Sequence, residues 1–175
     1  DGKIIEPYQT MGFNANIISN TYSNGRGLIV FDKDITAISE YAFYNCSKLT
    51  SIQMPKSITK IREYAFSGSG LTSIEIPNNV TEIATAAFSG TKIVNLVIPD
   101  SVILIGDYAF NTCGLLTRVT IPDNVTTIGS YAFEFCNSLT SVTIGNSVTT
   151  IGQYAFFECS KLTSIYCKPT TPPSI

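Results

Sequence analysis

Histidine and tryptophan are absent from all 175 residues, methionine occurs twice, and only 14% of the residues are charged. The lack of histidine removes the commonest general base and the commonest metal ligand together. Eleven lysines and arginines face 13 aspartates and glutamates, for a net charge of −2, with no basic cluster anywhere. That argues against nucleic acid or an anionic bilayer as the main partner, since both are gripped through dense positive charge. No apolar run approaches the ~20 residues of a helical span, so no membrane insertion of this portion is expected. The chain starts at Asp1-Gly2 without a signal peptide. A trimmed, mature form would look the same, so no compartment follows from that start. An apolar content of 44% argues against disorder and supplies ample material for a core.

What the chain does have is a period. Ala-Phe pairs end at Phe43, Phe66, Phe88, Phe110, Phe133 and Phe156, each 22 or 23 residues after the last. An isoleucine stands five residues before each: Ile38, Ile61, Ile83, Ile105, Ile128 and Ile151. Self-similarity at this interval predicts a solenoid in which one repeat is one coil.

Within one coil, Leu116, Val119, Ile121, Val125, Ile128, Ala132, Phe133 and Cys136 are the inward set. The next coil matches place by place with Leu139, Val142, Ile144, Val148, Ile151, Ala155, Phe156 and Cys159. Val119-Thr120-Ile121 alternates with period two, which reads as a short strand with one buried face. Pro122 ends it, as Pro55, Pro77 and Pro99 do earlier, while Gly145 takes that place later. A second extended piece, Val125–Ile128, leads through Gly129 into Tyr131-Ala132-Phe133, where a single helical turn is expected. One coil cannot fold alone, so neighbours must pair strands and pack like side chains over like.

The pattern L-x-x-[VI]-x-I-P-x-x-V-x-x-I-G-x-x-A-F-x-x-C, led by Leu49, Leu71, Ile93, Leu116, Leu139 and Leu162, resembles the BspA-like leucine-rich repeats of bacterial surface proteins. The resemblance covers about residues 28–167. Departures are Ser69 and Thr91 for the cysteine, Ala86 for the tyrosine and Ile93 for the leucine. It implies a right-handed superhelical leucine-rich repeat solenoid, with a parallel β-sheet on the concave face and short second strands and single helical turns elsewhere. It also implies an exported, extracellular or cell-surface adhesin or interaction module that is not an enzyme and has no cofactor or metal.

Residues 1–27 fall outside the repeat and read as a hairpin-like cap on the first coil, or as a remnant of a preceding domain. Residues 168–175 read as an incomplete coil or tail. Cys46, Cys113, Cys136 and Cys159 share one coil position, which suggests a buried ladder of small thiols rather than converging metal ligands. Cys167 takes an inward strand position equivalent to Ile121 and Ile144, and is expected in the core. Tyr41, Tyr64, Tyr108, Tyr131 and Tyr154 either offer an aromatic stripe for sugars or stack on one another outside a turn.

A binding function on the strand face would use its outward positions: Ser51 and Gln53, Ser73 and Glu75, Asn95 and Val97, Arg118 and Thr120, Ser141 and Thr143, Ser164 and Tyr166. Such hydroxyl-rich surfaces also arise simply because these residues suit a pleated strand. The coil Lys92–Gly106 differs, with Val94, Val97, Ile103 and Leu104 at places filled elsewhere by polar side chains. They form either a contact surface or a local irregularity in which they cover one another. The leading expectation is therefore a module for a protein or glycan ligand. A structural spacer or weakly self-associating array element is the alternative. A polysaccharide-active β-helix enzyme is disfavoured, because the outward strand positions supply only Glu75 and Arg118 as charges.

Overall fold

Equivalent phenylalanines lie directly over one another. In the computed structural model, which describes residues 13–23 and 26–168, the six rings from Phe43 to Phe156 form one column. Centroid steps are 5.2–5.4 Å and successive planes are within 10° of parallel. Phe66, Phe88, Phe110 and Phe133 are fully buried, as are Ile61, Ile83, Ile105 and Ile128 beside them. The core is thus a set of parallel columns along one axis.

The chain enters through β1 (Ile17–Ser23) and β2 (Arg26–Phe31), an antiparallel pair. Phe13 packs on Phe31 at 4.9 Å, and the Asn16 backbone N–H and side-chain amide both donate to the Asp32 carboxylate. Four coils then contribute one regular strand each: β3 (Ala37–Ile38), β4 (Lys60–Ile61), β5 (Glu82–Ile83) and β6 (Leu104–Ile105). After them come β7 (Arg118–Thr120), β8 (Thr127–Ile128), β9 (Ser141–Ile144), β10 (Thr150–Ile151) and β11 (Ser164–Cys167).

Strands β3, β4, β5, β6, β8 and β10 make a six-stranded parallel sheet, with the isoleucines of the period in register. The leading position forms a second parallel sheet, but only β7, β9 and β11 are regular there; earlier coils contribute a single bridge, Ser73 to Asn95. Proline accounts for part of this. Pro55, Pro77 and Pro99 lack the N–H that would extend a ladder, whereas Gly145 lets β9 pair with β11 through four residues.

The expected helical turns do not form; the described residues contain no helix. The reason is where the backbone N–H groups go. Those of Tyr41, Phe43 and Asn45 donate sideways, to the carbonyls of Glu63, Ala65 and Ser67 in the next coil, and the same alternation repeats along the stack. Each coil also carries left-handed residues at the tyrosine place (Tyr41 φ 55°, Tyr64 54°, Ala86 53°, Tyr108 56°, Tyr131 59°, Tyr154 58°), which a right-handed helix cannot contain.

The cysteine column is buried at Cys113, Cys136 and Cys159, and each thiol donates to a phenylalanine carbonyl, Phe88, Phe110 and Phe133 respectively. Burial pushes the Cys113 thiol up to about 11, and a hydrogen bond with Cys159 together with burial raises Cys136 as well. No cysteine is in a disulfide. Cys167 departs from expectation. It pairs with Ile144 in the predicted register, yet it is exposed, because β11 is the outermost strand described and no described residue packs over it. With an aromatic disulfide reagent near pH 8, exposed Cys167 should react first and half-buried Cys46, its thiol pushed up by burial, more slowly, while Cys113, Cys136 and Cys159 wait for unfolding. A mass-mapped adduct on Cys136 in the native protein would contradict this burial. Of the expected tail, residues 169–175 lie outside the described residues.

Candidate functional site

The outward strand positions form two rows. Arg118, Ser141 and Ser164 are in register, as are Thr120, Thr143 and Tyr166, and Ser73 meets Asn95 in the earlier bridge. The side chains of Ser51, Gln53, Ser73, Glu75, Asn95, Val97, Arg118, Thr120, Ser164 and Tyr166 are exposed, while Ser141 and Thr143 are half-buried. Glu75 and Arg118 sit in different rows, two coils apart. They do not form a charge cluster of the kind that stabilises a reacting group.

Two threonine ladders flank the strands, a feature that periodicity alone did not reveal. In one, the hydroxyls of Thr72, Thr140 and Thr163 donate to the carbonyls of Thr50, Thr117 and Thr140, one coil back. In the other, Thr59, Thr81, Thr126 and Thr149 donate to Thr36, Thr59, Ile103 and Thr126. The hydroxyls are thereby turned onto the scaffold and withdrawn from any ligand. Both ladders break in the same coil, at Val94 and Ile103.

That coil concentrates exposed apolar surface. Val97 is 77% exposed, Ile103 48% and Val94 38%. Leu104, paired with Glu82 and Thr127, is half-buried and so belongs less to this surface than the sequence suggested. The first three do not cover one another to the point of burial.

Aromatic side chains make a second surface on the turns. Tyr41 stacks on Tyr64 at 4.9 Å, Tyr108 on Tyr131 at 4.8 Å and Tyr131 on Tyr154 at 5.2 Å. Stacking covers the ring faces between neighbours, which disfavours a continuous sugar stripe, since sugars pack on ring faces. Exposed Phe135 and Phe157 join this surface and escaped the sequence reading. Phe135 is itself left-handed (φ 58°), which turns it outward, and no residue type announces that conformation.

Among the described residues no group of three cysteine or carboxylate side chains could hold a metal, and no helix is long and apolar enough to cross a membrane. Compared with known proteins, residues 16–92 and 81–172 match the BspA type leucine rich repeat region, in six copies. No curated protein gives a significant match. Similar solved structures include a leucine rich repeat protein of T. pallidum, with TM-score 0.75 and 31% identity over 78% of this chain and 66% of that one. A leucine rich cell surface protein of Faecalibacterium prausnitzii A2-165 aligns with TM-score 0.71 over 87% of this chain and 40% of that one; at 23% identity it shows the fold alone. The pneumococcal vaccine antigen PcpA aligns with TM-score 0.64 and 25% identity over 87% of this chain and 37% of that one. The chain thus spans well under half the length of two of these proteins.

Proposed function

The chain belongs to the BspA type leucine-rich repeat family, and from that premise we propose that it is a non-catalytic, adhesive interaction module of an exported bacterial surface protein. Leucine-rich repeat proteins are generally non-catalytic, and similar folds come from a cell surface protein and a vaccine antigen. The observation that carries the proposal is the coil Lys92–Gly106, where Val97 stands 77% exposed and both threonine ladders give way to apolar side chains. In the other coils the threonines of the two ladders bond their own scaffold. Here the surface offers hydrophobic contact and no competing internal bond.

The test is a panel of immobilised extracellular-matrix proteins and glycans, probed with the native chain and with a Val97→Thr, Ile103→Thr variant. Threonine occupies the equivalent places at Thr120 and Thr126, so the variant should melt within a few degrees of the parent. Binding to the captured ligand should fall about tenfold or more. Undiminished binding by the variant, or cleavage of a polysaccharide by the purified chain, would overturn the proposal. A mass that climbs with concentration in sedimentation, without capture of any panel member, would favour the spacer or self-associating element instead.

A further inference from the structure

Two charges of opposite sign bracket the apolar coil. Glu75 stands in the coil before it and Arg118 in the coil after it, both exposed. Neither side chain has an ion pair or a hydrogen bond within the described residues. Between them lie Asn95, in the row of Arg118, and Val97, in the row of Glu75. Val97, at 77%, is the most exposed large apolar side chain among the described residues. Charge is also sorted along this part of the three coils. Over residues 70–79, 92–101 and 115–124 the cations, Lys92 and Arg118, come at the start of the extended segment. The anions, Glu75, Asp100 and Asp123, come at its end or in the turn that follows, and Asp123 is already paired with Lys168.

Backbone bonds hold the three coils at ladder spacing here: the Val94 N–H donates to the Thr72 carbonyl and the Thr117 N–H to the Val94 carbonyl. Two coil steps of ~4.8 Å, and two residues along the segment at ~3.3 Å each, put the Glu75 and Arg118 backbones about 12 Å apart, with Asn95 and Val97 astride the midpoint. Four residues of extended chain cover about 13 Å, and residues i, i+2 and i+4 share one face. An extended segment laid obliquely over the coils thus sets i on Glu75, i+2 on Val97 and i+4 on Arg118. Asn95 offers an amide donor and acceptor at the crossing point. A strand leaves backbone N–H and C=O groups open to such an amide, whereas a helix spends them internally.

We propose that this surface takes an extended peptide segment of a partner protein, with an apolar side chain on Val97, a cationic one two residues to one side on Glu75, and a carboxylate two residues to the other side on Arg118. The inference rests on the reading of this coil as the contact surface and names its partner. A neutral glycan answers neither charge, and an acidic polysaccharide that meets Arg118 is repelled by Glu75 and Asp100. A segment carrying both signs meets each charge with its opposite, and segments of a single sign are rejected at one end.

The probes are four peptides of one frame, acetylated and amidated: KTVTE, KTVTK, ETVTE and ATVTA. Each is titrated at low salt while the backbone amides of the chain are followed by NMR. KTVTE should give saturable shifts centred on Asn95 and Val97, with a Kd lower than that of the others by about threefold or more, as for exposed ion pairs. Glu75→Lys should turn the preference to ETVTE, and Arg118→Glu should turn it to KTVTK. Both positions are exposed, so both variants should melt within a few degrees of the parent. A preference that neither exchange moves, ATVTA binding as tightly as KTVTE, or no saturable shift with any peptide would each overturn the proposal. The contact surface itself is judged separately, on the matrix panel. Binding lost there by the Val97→Thr, Ile103→Thr variant, with an unmoved charge preference here, leaves that surface standing and removes its mixed-charge partner.

Discussion

Replacing Phe110 by alanine is expected to lower the unfolding free energy by about 3–5 kcal/mol, as for a fully buried aromatic that leaves a cavity. Phe110 is fully buried and stacked on both sides, at 5.4 Å from Phe88 and 5.2 Å from Phe133. The site cannot collapse to fill the void. The Phe110 N–H donates to the Ala132 carbonyl and the Phe88 N–H to the Ala109 carbonyl, so the flanking backbones are held at ladder spacing. In a solenoid the loss also falls on two coil interfaces at once. Phe156 provides the internal comparison: half-buried and stacked on Phe133 alone, it should cost clearly less when truncated. Urea denaturation of both variants, with slopes compared to the parent, decides the matter. Equal losses for the two would mean that stacking between coils contributes little.

The second large effect concerns a glycine. Gly129→Ala is expected to cost about 2–3 kcal/mol, towards the upper end for overpacking. A methyl built on Gly129 would sit within contact distance of the backbone of Gly106 and Asp107, in the coil beneath. Backbone cannot swing aside as a side chain can, so the coils must part locally and stretch bonds such as Gly129 N–H to the Ile105 carbonyl. Gly114→Ala is the control: nothing lies within 4 Å of its added methyl, and a change within about 0.5 kcal/mol is expected. Thermal melts of the two side by side suffice. A Gly129→Ala chain as stable as the Gly114→Ala chain would show that the coils are free to separate.

Much of the inward architecture was legible beforehand because it rests on identity repeated at a period. Ile61, Ile83, Ile105 and Ile128 could be placed in the core without coordinates, and the register of the six-stranded sheet follows from their numbering. Cys167 shows where that logic stops. Its register was right and its burial wrong, because burial needs a neighbour on each side and register needs only one. The apolar surface of Val94, Val97 and Ile103 was visible as a break in pattern. Leu104 shared the break but not the exposure, since its half-buried setting comes from the strand pair around it.

Sequence alone determined the coil length, the stacking and the inward set: apolar side chains recurring at one interval leave water together only when superposed. Tertiary structure alone decided that the Ala-Phe segments are turns and not helices, since every other N–H finds its partner in the next coil, over 20 residues away along the chain. It also decided that the hydroxyls of the ladder threonines point back to the scaffold. Such outcomes depend on what the adjacent coil offers, and a composition or spacing within one coil does not record its neighbour's geometry.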